Sequence, residues 1–162
     1  MNENVWFTKQ GYDELSKELV RLKSIERPKV IGEIATARAH GDLRENAEYH
    51  AAREKQSFIE GRILLLDDAL ARAKVVDSMP TSQDRKVQFG AWVTIKDTDT
   101  DEEKTLRIVG DFETNIEKNL ISLKSPLARA LLGKEQDEEV NFKAPKGEVF
   151  YLIKRVSYEH HS

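Results

Sequence analysis

Between Ala52 and Ala73 the chain repeats a seam at spacings of four and three: Ala52, Gln56, Ile59, Ile63, Leu66, Leu70 and Ala73. No proline interrupts it, and the positions between are charged, as in Arg53-Glu54-Lys55 and Asp67-Asp68. A period of 3.5 residues held over three heptads marks a helix that buries one narrow stripe against another helix. The seam extends back through Tyr49 and Glu45. The partner lies just upstream, where Tyr12, Leu15, Leu19 and Leu22 form a second stripe. Continued in frame, that stripe lands on Glu26, Lys29, Glu33 and Thr36, all polar. The apolar series returns one residue late, at Val30, Ile34 and Ala37. The slip falls at Pro28, and a proline inside a helix removes a hydrogen bond and bends the axis. We therefore expect one kinked helix in two segments. Thr8 suits its N-cap and Gly41 its stop. Two helices of about 30 residues, each spanning about 45 Å, joined by a few residues run antiparallel. The first region is expected to be a coiled-coil hairpin over residues 1–78 with its turn near residues 40–45.

Past the polar stretch Ser78 to Lys86, read as a linker over 79–86, the period becomes two. Val87, Phe89, Ala91, Val93 and Ile95 alternate with their neighbours, as in a half-buried strand. Further strands are expected at Leu106–Val109, Asn119–Leu123, Val140–Lys143 and Glu148–Val156, the last two paired across Ala144-Pro145-Lys146-Gly147. Asp97 to Asp101 reads as a loop. Ser125, Pro126 and Gly133 carry the cap, first-residue and stop signals of a short helix. The expected fold class is α+β: an N-terminal antiparallel helical hairpin, then a small, mostly antiparallel β domain with one short helix at 87–160.

Composition narrows the function. The 162 residues hold 26 Lys and Arg against 29 Asp and Glu, a net charge of −3. Residues 1–78 carry 13 basic and 14 acidic groups, so neither half is a basic nucleic-acid domain. The absence of cysteine excludes disulfides, thiolate zinc sites and cysteine nucleophiles. The longest apolar run, Val149 to Ile153, is too short for a membrane span, and no signal-peptide pattern opens the chain. A soluble cytoplasmic protein is expected.

The hairpin turn carries the chemistry. His40-Gly41-Asp42-Leu43-Arg44-Glu45-Asn46-Ala47-Glu48 places three carboxylates at the tip. Asp42-x-x-Glu45 reads first as a capping box for the second helix. The same two acids can also face a hard cation beyond the tip. Mg²⁺ prefers six oxygens, so two side chains serve only if a partner supplies the rest. A metal set using His40 and His50 matches no established spacing. Arg38, Arg44 and Arg53 flank the acids, as a solvated face or as phosphate contacts.

The string Arg38 to Gln56, RAHGDLRENAEYHAAREKQ, closely resembles the signature of the GreA/GreB transcript cleavage factors. The resemblance continues in Arg27-Pro28, Glu60-Gly61-Arg62-Ile63, Phe89-Gly90-Ala91, Ile108-Val109-Gly110 and Ile121 to Leu131. It implies an FKBP-like fold for the β domain and RNA polymerase as partner, with the hairpin entering the secondary channel. It implies that Asp42 and Glu45 help hold the second Mg²⁺ of the polymerase active centre and orient water for hydrolysis of backtracked RNA. The factor then has no cofactor of its own, is a monomer, and is not itself a nuclease. Arg38 and Arg53 match a basic patch that engages the nascent RNA 3′ end. Lys124-Ser125-Pro126 matches a polymerase-docking loop, with Lys124 where GreB has an acid. Alternatives are an inhibitory channel binder and a coiled-coil adaptor without a polymerase role. Prolyl isomerase activity would need an aromatic-lined pocket, whereas most aromatics of this half fall at strand positions.

Overall fold

The structure is a computed structural model, and it describes residues 3–76 and 86–158. The expected linker therefore lies outside the described residues except for Lys86. The elements in chain order are β1 (Val5–Thr8), α1 (Lys9–Arg21), a π turn (Leu22–Glu26), α2 (Arg27–Arg38), α3 (Ala47–Ala71), β2 (Ala73–Val76), β3 (Trp92–Asp97), β4 (Glu103–Val109), β5 (Leu120–Ser122), α4 (Pro126–Leu131), β6 (Glu139–Ala144) and β7 (Gly147–Ser157). They form an α+β protein of two compact units. One holds Tyr12–Ala73 and the other joins Asn4–Gly11 to Lys74–Ser162. By contacts β1 groups with the second unit.

Helical backbone runs from Lys9 to Arg38 without a break. The frame slip near Pro28 resolves as the π turn. Proline 28 has no N–H for the carbonyl of residue 24, and its ring crowds that carbonyl. Just upstream, the Arg27 N–H reaches back five residues to the Leu22 carbonyl. One extra residue is thereby inserted. That is the residue by which Val30, Ile34 and Ala37 are late; all three are buried, and Val30 packs in one cluster with Leu22. The Ser24 hydroxyl donates to the Val20 carbonyl at 2.6 Å within this stretch.

Leu22, Val30, Ile59, Ile63 and Leu66 form the buried seam, with Leu15 and Leu19 packed against it. Ion pairs Glu33–Lys55, Arg27–Glu60 and Lys23–Asp67 flank it, and numbers that fall on one helix as they rise on the other establish the antiparallel pairing. All three pairs are exposed and screened by solvent, so the buried seam carries the stability. The helix α3 ends at Ala71, so Ala73 of the expected stripe lies in β2, and Glu45 is exposed in the turn.

In the second unit the sheet order is β5-β4-β3-β7-β6. All neighbours are antiparallel except β4 and β5, which are parallel. The expected alternation holds: Val87, Phe89, Ala91, Val93 and Ile95 are all buried. Regular strand begins only at Trp92, because the chain turns at Gly90, whose φ is +89°. These residues pack with Leu106, Ile108, Ile153, Ala128 and Leu131 into one core. A β-bulge in β7 lies opposite Thr94 and Ile95.

The strand β1, unforeseen in the sequence, is fastened to this unit by one carboxylate. Glu113 accepts from the Thr8 N–H at 3.0 Å, from the Thr8 hydroxyl, and from the Gly110 N–H at 3.0 Å. Thr8 Oγ1 in turn accepts from the Gly11 N–H at 3.0 Å, which is the expected N-cap of α1. The fit is tight: a Cβ at Gly110 would lie 1.8 Å from the Trp6 carbonyl oxygen. Gly110→Ala is expected to cost about 1–3 kcal/mol as overpacking. The denaturant midpoint reads this loss. Trp6 fluorescence should shift to the red as its edge contact with Phe89 is lost.

Candidate functional site

The tip loop of the helical unit spans residues 39–46. The last turn of α2 tightens as the His40 N–H bonds the Ala37 carbonyl at 3.1 Å. Gly41 then reverses the chain at φ +115°, a conformation that favours glycine. Asp42 follows, and its Oδ1 accepts from the Arg44 N–H at 3.0 Å, an Asx-type turn.

This overturns the capping box. Asp42 spends its oxygen two residues on, and α3 starts only at Ala47. Its N-cap is Asn46, whose Oδ1 accepts from the Tyr49 N–H at 3.0 Å. The same side chain donates from Nδ2 to the Ala37 carbonyl at 2.6 Å, tying the end of α2 to the start of α3. Sequence reading missed Asn46 because the Asp-x-x-Glu pattern that begins four residues earlier, at Asp42, was the stronger one. Freed from capping, Glu45 is exposed and has no polar partner among the described residues.

The remaining tip residues surround the acids. The exposed Arg38 guanidinium sits over the Tyr49 ring, 5.8 Å from its centroid. Arg53, one turn along α3 from Tyr49, is exposed and donates to Gln56 Oε1 at 3.2 Å. The structure thus places Arg38 over Tyr49, while the contact of Arg53 is to Gln56, farther along α3. His40 and His50 do not converge: His40 Nε2 lies 3.9 Å from Glu48, and His50 Nε2 lies 3.1 Å from the Arg44 carbonyl. Among the described residues no group of three or more His, Cys, Asp or Glu is arranged to hold a metal ion. Asp42 and Glu45 nevertheless offer hard, solvent-facing carboxylate oxygens. That donor set fits Mg²⁺ as part of a shared site and falls short of a complete one.

In the second unit, Lys124, Ser125 and Pro126 lead into α4. Pro126 opens the helix, and the Ser125 hydroxyl caps it by accepting from the Ala128 N–H at 3.2 Å. The Lys124 ammonium pairs with Asp111 at 3.1 Å, and the Lys124 N–H donates to the Ser122 hydroxyl at 3.0 Å. Asp111 also accepts from the Ser122 hydroxyl. That hydrogen bond, opposed by partial burial and helped by Lys124, holds the Asp111 carboxyl below the ordinary carboxylate range. Asp111 lies thirteen residues upstream, and no local pattern signals its role.

Residues 5–75 match the family profile described as "Transcription elongation factor, N-terminal". Residues 82–158 match "Transcription elongation factor, GreA/GreB, C-term". The chain belongs to the GreA/GreB family. It is 54% identical over 156 residues to transcription elongation factor GreA of Ruegeria pomeroyi, covering 96% of this chain and 99% of that protein. It is 54% identical over 151 residues to GreA of Xanthomonas axonopodis pv. citri, covering 93% and 96%. A crystal structure of GreA factor homolog 1 of Thermus thermophilus is 24% identical and covers 96% of this chain and 99% of that one, with a TM-score of 0.43.

Two outcomes follow. Asn46→Ala should cost about 1 kcal/mol through the lost cap, read by chemical denaturation. The depressed Asp111 contributes stability above the ordinary carboxylate range and loses it as pH falls through that range. The stability of Asp111→Asn should therefore decline less steeply than the parent's between about pH 5 and pH 3, in denaturant midpoints taken across that interval.

Proposed function

We propose that this chain is a transcript cleavage factor. It binds RNA polymerase as a cytoplasmic monomer, inserts the hairpin tip into the secondary channel, and stimulates hydrolysis of backtracked nascent RNA by the polymerase's own active centre. Family membership supports the partner. The observation that carries the chemistry is the tip itself: Asp42 and Glu45 stand exposed on a loop tied to both helices by Asn46.

The chain contributes half of a site. Asp42 and Glu45 would help hold the second Mg²⁺ of that centre. When bound, Mg²⁺ stabilises the charge that develops at phosphorus and favours ionised water as the nucleophile. Glu45, which has no polar partner among the described residues, is the acid available to orient the attacking water. Asp42, already accepting from the Arg44 N–H, keeps Oδ2 for the ion. Arg38 and Arg53 offer guanidinium groups to the phosphates of the extruded RNA 3′ end, with the fork geometry that phosphate oxygens accept. Lys124, Ser125 and Pro126 form the docking loop on the polymerase. Because Ser125 caps α4 and Lys124 pairs with Asp111, docking there reads a preformed surface. Alone, the factor lacks the other ligands and should cleave nothing.

Asp42→Asn and Glu45→Gln should each reduce stimulated cleavage of a defined backtracked complex to the polymerase's basal rate. Folding and polymerase binding should persist, since neither carboxylate supports α3. Full stimulation by either variant contradicts the assignment. Binding by the unaltered chain with slowed cleavage would make it an inhibitor instead.

A further inference from the structure

The geometry points to His50 as a positioning residue for the two tip acids, an inference that rests on the cleavage-factor reading above. Arg44 stands between Asp42 and Glu45, and both polar groups of its backbone are engaged. Its N–H donates to Asp42 Oδ1 at 3.0 Å, and its carbonyl lies 3.1 Å from His50 Nε2. A carbonyl only accepts, so Nε2 carries the hydrogen, as it does in one neutral tautomer and in the protonated ring. The ring is itself placed. It stands edge-on to Tyr49 at 5.5 Å and 67°, and the other ring in that contact lies under the Arg38 guanidinium.

The peptide unit from Arg44 to Glu45 is thus held through its oxygen from the first turn of α3. The carboxylate of Asp42 is held through the N–H of the same residue. One residue's backbone couples the two acids, and His50 supplies the anchor from outside the loop. Without that donor, the Arg44–Glu45 peptide is free to rotate and the acids lose their fixed relation. The bond is exposed, so water replaces it at little cost in stability. Geometry at a reacting centre is far more sensitive than stability to such a loss.

This separates a positioning role from a structural one. His50→Leu removes the donor, whereas His50→Gln keeps an amide N–H at similar reach. Both are measured for cleavage of a backtracked complex over a range of factor concentrations, with Asp42→Asn as control. For His50→Leu we expect the rate at saturating factor to fall about tenfold. The half-saturating concentration and the thermal melting of the factor should not change. His50→Gln should restore most of the rate. An undiminished saturated rate for His50→Leu, with Asp42→Asn inactive, overturns the inference and leaves the cleavage reading standing. So does an equal loss in His50→Gln, or a loss traced to weaker binding or lower melting temperature. A parent chain that stimulates no cleavage overturns both.

Discussion

The helical unit depends on keeping one apolar stripe facing its partner from Leu15 to the tip. Pro28 works against this, since an α-helix cannot pass through it with its hydrogen bonding intact. The π turn at Leu22–Glu26 settles the conflict by taking up one residue. Downstream, Val30, Ile34 and Ala37 then return to the buried side. Without that insertion Glu33 and Thr36 would face the seam and the last two turns before the tip would have no reason to pair. The register of everything beyond residue 28, and so the placement of Asp42 and Glu45, rests on this one inserted residue.

At the tip, local bonds divide two tasks that one pair of acids could not perform together. Capping α3 falls to Asn46, which also ties down the Ala37 carbonyl. Turn formation falls to Gly41 and one oxygen of Asp42. Glu45 is left exposed and without a polar partner among the described residues. A carboxylate held on an ordered loop yet free of internal partners is suited to complete a site in another protein, because no internal bond must break first. The near-neutral charge of the chain is consistent with this, since two acids at one point matter more here than net charge.

Much of this was legible in the sequence, and the failures are instructive. The hairpin, the alternation from Val87 to Ile95, and the helix opened by Ser125 and Pro126 all follow from period and cap chemistry. The one-residue slip was visible too, though proline bending was the first explanation and an inserted residue is the physical one. The strands β1 and β2 were not legible: each is four residues long, and β1 is fixed by Glu113 across more than a hundred residues of chain. The capping box failed for a local reason. Asp42 can bond the Arg44 amide within its own turn or cap a helix, and the left-handed Gly41 before it favours the turn. The roles of Asn46 and His50 depend on where the Ala37 and Arg44 carbonyls point, which no residue pattern encodes.

The central claim is that this chain supplies carboxylate ligands to an ion held jointly with RNA polymerase. The most direct measurement is the Mg²⁺ dependence of RNA cleavage in one backtracked complex, with and without the factor. The account predicts that the factor lowers the Mg²⁺ concentration for half-maximal rate, and that Glu45→Gln loses this shift while still competing for the polymerase. Acceleration with an unchanged Mg²⁺ midpoint would contradict it.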